Sequence, residues 1–237
     1  MTIVLAFLAV IAVIAGWWLS TQRIMSKPWL EVGVIGDAPG ARPPLPTAKI
    51  GLGIFLAVAG GLFALSISAY SMRLQAADWW PVPVPRLLWF NTALLVLASL
   101  ALEWAKNCSR QADADGVRSG LLGAWVFTVG FVVGQLLVWR ELVDQGYYLA
   151  SNPANAFFYL MTGLHGLHVL GGLFGLGRVS VRAHRSGEVG QDPGKLRLGL
   201  ELCAMYWHFL LAIWLILFAL IAGWAGDILE ICRQVLS

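Results

Sequence analysis

Gly199–Trp224 reads GLELCAMYWHFLLAIWLILFALIAGW, and across it Glu201 and His208 are the only carboxylate or imidazole side chains; no Lys or Arg interrupts it. Water is absent from lipid hydrocarbon, so a crossing segment must pair every backbone N–H and C=O within itself. About 20 apolar residues in one helix do this. The apolar character here is continuous rather than alternating, which excludes the roughly ten-residue strands of a membrane barrel. This stretch predicts a transmembrane helix.

Five further runs meet the same criterion: Ile3–Ser20, Ile50–Ser71, Leu87–Ala105, Ser119–Trp139 and Ala154–Gly177. The expected fold is therefore an all-α integral membrane bundle of six transmembrane helices. Composition agrees. Of the 237 residues 59% are hydrophobic, only 12% are charged, and mean hydropathy is +0.74. Soluble chains carry about 25% charged residues, so a soluble enzyme domain is excluded. A net charge of +3 on so few scattered charges is no nucleic-acid footprint. Cys108, Cys203 and Cys232 show no C-x-x-C spacing, so neither a disulfide framework nor a zinc finger is expected. The first run lacks a basic leader and a small-residue cleavage site, and is expected to be a retained helix rather than a signal peptide.

Lys and Arg placement sets the expected orientation. The segments Thr21–Lys49, Lys106–Arg118 and Arg178–Arg197 hold twelve of the 16 basic residues. The other side has Arg73, Arg86, Arg140 and Arg233. The three basic loops are thus expected in the cytoplasm and both termini outside. Residues 1–48 are expected to form a first helix and a Pro/Gly-rich loop, and residues 49–237 a five-helix bundle with a short tail. Trp17, Trp18, Trp79, Trp80, Trp89, Trp104, Trp139 and Trp224 lie near span ends. There an indole keeps its N–H wet while its ring sits in lipid.

Ionisable groups at membrane depth are costly, so each marks a candidate site. His165 and His168, at i and i+3, share one face of the fifth span. Glu201 and His208, two turns apart, share a face of the sixth. Three imidazoles and a carboxylate on neighbouring spans are residue types that bind metals or haem. Neither Glu-x-x-His nor His-x-x-x-His is present, however, and no other span offers a further ligand. The plainer expectation is an interhelical polar cluster of His165, His168, Glu201 and His208, with Gln135 as a further hydrogen-bonding side chain, binding no metal or cofactor. Glu103 is placed where its span reaches water. Glycines crowd the fifth span, and Ala59, Gly60 and Gly61 make the second narrow, either for close helix packing or as a candidate lipid cleft. The chain shows no activated Ser or Cys, phosphate loop or clustered carboxylates, so no catalytic residue is expected. Without internal repeats or broken helices, a small transporter is the less favoured reading.

At two of these stretches the chain resembles subunit III of the haem–copper oxidases. Phe157-Phe158 through Thr162-Gly163-Leu164-His165-Gly166-Leu167-His168-Val169 to Gly172 is similar to the family's penultimate-helix signature. Glu201 through Tyr206-Trp207-His208-Phe209 to Trp214 is similar to its last-helix signature. Asn91-Thr92, Trp104-Ala105, Thr128, Gly130, Phe131 and Gln135 add weaker support, and the likeness spans about Lys49 to Ala225. The resemblance implies an accessory subunit of a proton-pumping cytochrome c oxidase in aerobic respiration. Such a subunit carries no haem or copper of its own. It contacts subunit I, which holds the oxygen-reducing centre, with subunit II also in the complex. It binds phospholipid and supports proton uptake. A partner of a quinol oxidase or nitric oxide reductase is the near alternative, and a bacterial inner membrane the implied location. Family members have seven helices, so six with both ends outside corresponds to loss of the first. The chain departs from the family where Val58-Ala59 stands for a Ser-Glu pattern and Leu211 for an Asp, and roles of those carboxylates are not carried over.

Overall fold

In a computed structural model, residues 46–74, 78–185 and 193–223 are described. The predicted first span, its loop, Trp17, Trp18, Trp224 and Cys232 lie outside them. Five helices follow in order: α1 (Thr47–Arg73), α2 (Arg86–Arg110), α3 (Ala114–Asp144), α4 (Pro153–Arg185) and α5 (Pro193–Ile221). All five are long and apolar enough to cross a membrane, and no strand occurs among the described residues.

The helices outrun the predicted apolar runs because capping chemistry, not hydropathy, ends a helix in water. The N-cap of α3 is Asp113, whose carboxylate accepts from Gly116 N–H at 3.0 Å. Pro153 opens α4, with Asn152 Oδ1 accepting from Ala154 N–H at 3.0 Å. At the end of α3, Tyr147 N–H bonds to the Leu142 carbonyl and Gly146 N–H to that of Val143, with Gly146 at φ 89°. This paired closure needs a left-handed residue, which glycine adopts without a Cβ penalty. The last helix stops at Ile221, three residues before the predicted Trp224, in a turn carrying Gly223 at φ 80°.

Four helices form a closed ring in which α2 packs on α3, α3 on α4, α4 on α5 and α5 back on α2. The α2–α3 seam is the tightest. A Cβ on Gly120 would lie 2.8 Å from Ala105 Cβ and 2.9 Å from the Ala101 carbonyl oxygen. Lipid tails are as apolar as Leu, so such backbone approach and van der Waals contact replace hydrophobic exclusion as the packing force. One half of the ring is filled around Leu102, Leu121, Leu176, Leu200 and Trp207, the other around Leu95, Phe131, Val169, Leu210 and Trp214. Outside the ring, α1 leans on α4 and α5. It buries only Ala59 and Phe63, the latter among Met161, Ile213 and Leu217.

Candidate functional site

The five polar residues singled out in the sequence do not meet in one place. His165 lies at the centre of the bundle with no exposed surface. Its Nε2 is 3.1 Å from the Leu210 carbonyl of α5. A carbonyl only accepts, so Nε2–H donates and Nδ1, which has no partner, is left with a lone pair. Around the imidazole stand Trp214 of α5, Phe131 of α3 and Phe63 of α1, at centroid distances of 5.0, 5.7 and 6.4 Å. One side chain of α4 therefore touches three other helices.

His168, one turn on, turns toward α1. Its ring lies 5.4 Å from Phe63 and 6.2 Å from Phe55, and its Nδ1 donates to the Leu164 carbonyl at 2.8 Å. Its own carbonyl accepts from the Tyr206 hydroxyl of α5 at 2.8 Å. Gln135 belongs to a different seam. There Asn91 Nδ2 of α2 donates to Gln135 Oε1 of α3 at 3.4 Å, both residues being buried. A Cβ on Gly134 would overlap Asn91 Oδ1, so any larger residue there forces the amide to move.

Glu201 and His208 occupy a third place, a cleft of about 380 Å³ between α1, α2 and α5. Lys49, Glu103, Lys106, Arg110, Ala204 and Met205 complete its lining. Lys49 Nζ is 2.7 Å from Glu201 Oε2, and Arg197 Nε is 3.7 Å from Glu201 Oε1. On the facing helix Lys106 bonds Glu103 at 2.6 Å. The half-exposed His208 donates from Nδ1 to the Ala204 carbonyl, and its Nε2 stands 3.9 Å from Glu103 Oε2, too far for a hydrogen bond. The i, i+7 spacing of Glu201 and His208 does bring them to one lining, but the acceptors and donors that answer them lie on α1 and α2.

Those answering residues, Lys49, Glu103, Lys106 and Arg110, are separated from Glu201 by 91 or more positions in the chain. Charges close to span ends are visible in the sequence, but which ends converge is not. Tryptophan has a use here beyond interfacial anchoring. Indole N–H groups of Trp125, Trp139, Trp207 and Trp214 donate across helices to Ser180, Thr162, Thr128 and Thr92 at 2.9–3.1 Å. Thr92 and Thr162 give their own protons to carbonyls four residues back, at 2.9 and 2.7 Å, leaving oxygen lone pairs for the indoles. Trp139, placed at a span end, is thus a half-buried crosslink.

Ala59, Gly60 and Gly61 do not share a face, as successive helical positions cannot. Ala59 is buried, the Cβ position of Gly60 meets the Phe209 ring at 3.7 Å, and that of Gly61 meets nothing within 4 Å. Leu211, where the family pattern has Asp, packs beside the cluster around Trp214. Cys108 and Cys203 are free and buried. Among the described residues no group of three or more His, Cys, Asp or Glu side chains is arranged to hold a metal.

With this geometry in view, likeness to known proteins is specific. A family model described as cytochrome c oxidase subunit III matches residues 54–226. A probable cytochrome c oxidase subunit 3 of Mycobacterium tuberculosis is 32% identical over 165 residues, covering 68% of this chain and 78% of the relative. Cytochrome c oxidase subunit 3 of Thermostichus vulcanus is 29% identical over 176 residues, 73% of this chain and 85% of the relative. That of Synechocystis is 27% identical over 191 residues, 78% and 79% of the two chains. The matched span contains both histidine-bearing helices, the amide seam and most of the polar cleft, and this chain belongs to the cytochrome c oxidase subunit III family.

Proposed function

We propose that this accessory oxidase subunit is non-catalytic, binds no haem or copper itself, and holds phospholipid against the oxidase core while stabilising subunit I and supporting its proton uptake. The observation that carries the proposal is the cleft between α1, α2 and α5. Lys49, Lys106 and Arg110 surround it, Glu103 and Glu201 neutralise two of these cations, and Arg110 has no ion pair with a described residue. A phosphate with a neighbouring amine finds both charges it needs on such a surface, while acyl chains find the exposed apolar flanks of α1 and α5, including Phe55, Val58 and Leu215.

The same reading assigns the bundle its place. The chain is a multi-pass membrane protein with six helices, both ends outside, in a bacterial inner membrane. Residues 1–48 supply the first helix and its loop, and residues 49–237 the subunit III-like bundle. This orientation puts the cleft at the cytoplasmic face, where protons enter. Subunit I is its main contact and subunit II belongs to the same assembly. His165 and His168 act as helix clamps.

The test compares the oxidase purified with and without this chain. Haem and copper content are expected to be equal in both, while the preparation without it loses bound phospholipid and is inactivated sooner during turnover. Loss of haem or copper in proportion to loss of this chain would contradict the non-redox assignment. Unchanged phospholipid content would contradict the lipid role.

A further inference from the structure

The position of α1 depends on few contacts. It stands outside the four-helix ring and buries only two residues, and in lipid no hydrophobic exclusion presses it home. Near its Arg73 end, Tyr70 donates to the Leu220 carbonyl at 3.4 Å and packs edge-on against Trp79 and Phe157, with centroids 5.0 and 5.8 Å apart. Its middle is keyed by Phe63 and by the fit of Gly60 to Phe209. At the Thr47 end aromatic closure is sparser. Phe55 reaches the Tyr206 ring at 6.1 Å but is half exposed, while Gly51 meets nothing. What joins that end to α5 is the 2.7 Å contact of Lys49 with Glu201, whose side chains are 29% and 21% exposed.

We infer that the Lys49–Glu201 pair is a latch, holding the Thr47 end of α1 against α5 and thereby closing one wall of the polar cleft. Both residues line that cleft, so releasing the pair opens the wall and exposes Glu103, Lys106, Arg110 and His208 sideways to the bilayer. The pair is suited to release. Glu201 has an alternative cation in Arg197 on its own helix, 3.7 Å away, so its charge keeps a partner when Lys49 departs. The two-ended support of α1 makes the motion a hinge about the Tyr70–Trp79–Phe157 end. That the opening admits and frees a phospholipid rests on the lipid reading above; the latch itself does not.

The experiment uses the whole oxidase complex in nanodiscs with spin labels at Gly51→Cys on α1 and Gln111→Cys just beyond α2, in a background with Cys232→Ser and with the native cysteines at 108 and 203 buried. Pulsed electron-spin distance measurement is expected to give one narrow distribution for the parent. Glu201→Gln is expected to shift it to longer distance and broaden it, Lys49→Gln to do the same, and Lys49→Arg, which keeps the cation and the Glu201–Arg197 contact, to leave it as in the parent. An unchanged distribution in Glu201→Gln or Lys49→Gln overturns the latch. So does a shift of the same size in Lys49→Arg, because that result assigns the change to disturbed packing rather than to the lost pair. Phospholipid retained per complex, measured by mass spectrometry on the same samples, separates the two readings. A parent without lipid contradicts the lipid role, whereas the shift in the two charge-removing variants and its absence in Lys49→Arg decide the latch.

Discussion

Single residues in this bundle are constrained most where a helix backbone meets a polar side chain. Gly134 is the sharpest case, since Asn91 Oδ1 already occupies the space a methyl would need. Gly134→Ala is expected to lower the stability of the purified subunit by about 1–3 kcal/mol, the usual cost of forcing volume into a packed seam. Gly61→Ala, mid-helix and with open space at its Cβ position, is expected to raise it by about 0.5–1 kcal/mol, glycine's entropic cost in a helix. Thermal unfolding of the two variants side by side checks both. At Ala112 the reverse substitution is the stabilising one. It sits in the α2–α3 turn at φ 57°, where a Cβ crowds the following carbonyl oxygen. Ala112→Gly is expected to raise stability by about 0.5–1 kcal/mol, the relief of strain exceeding glycine's entropic cost. His165→Leu removes one interhelical hydrogen bond but also the unpartnered Nδ1. A loss of about 1 kcal/mol in the same assay is expected, with no change in metal content.

Between elements, the seams are stitched by indoles on hydroxyls. Trp207 and Thr128 are both buried and bonded at 3.1 Å, and a double-mutant cycle with Trp207→Phe and Thr128→Val is expected to return a coupling of about 0.6–1.7 kcal/mol. A coupling indistinguishable from zero would show that ring packing alone holds α5 to α3. The five described helices were legible in the sequence because a 19- to 26-residue apolar run has one stable solution in lipid. Their ends were less so. Asp113, Asn152 and Gly146 set them through local hydrogen bonds that a hydropathy reading does not weigh. Site residues divided along the same line. His165, His168, Glu201 and His208 stand out as candidates in the sequence because charge and imidazole are rare at depth. Their grouping does not, since i, i+3 and i, i+7 spacings define faces of one helix and say nothing about what each face meets. His165 meets Phe63, Phe131 and Trp214, whereas His208 meets Glu103, and the two surroundings share no lining residue.

For the described bundle as a whole, polarity is sorted by depth. Neutral hydrogen-bonding pairs such as Asn91 with Gln135 and Trp214 with Thr92 occupy the interior, and the ion pairs lie at the cleft and at helix ends. A subunit of this family works as part of a cytochrome c oxidase. The most direct measurement is purification through a tag on this chain in mild detergent, with a reduced-minus-oxidised visible spectrum and mass spectrometry of what copurifies. Haem bands accompanied by an oxygen-reducing subunit I are the predicted result. A colourless protein free of oxidase partners, from a membrane that contains an assembled oxidase, would contradict it.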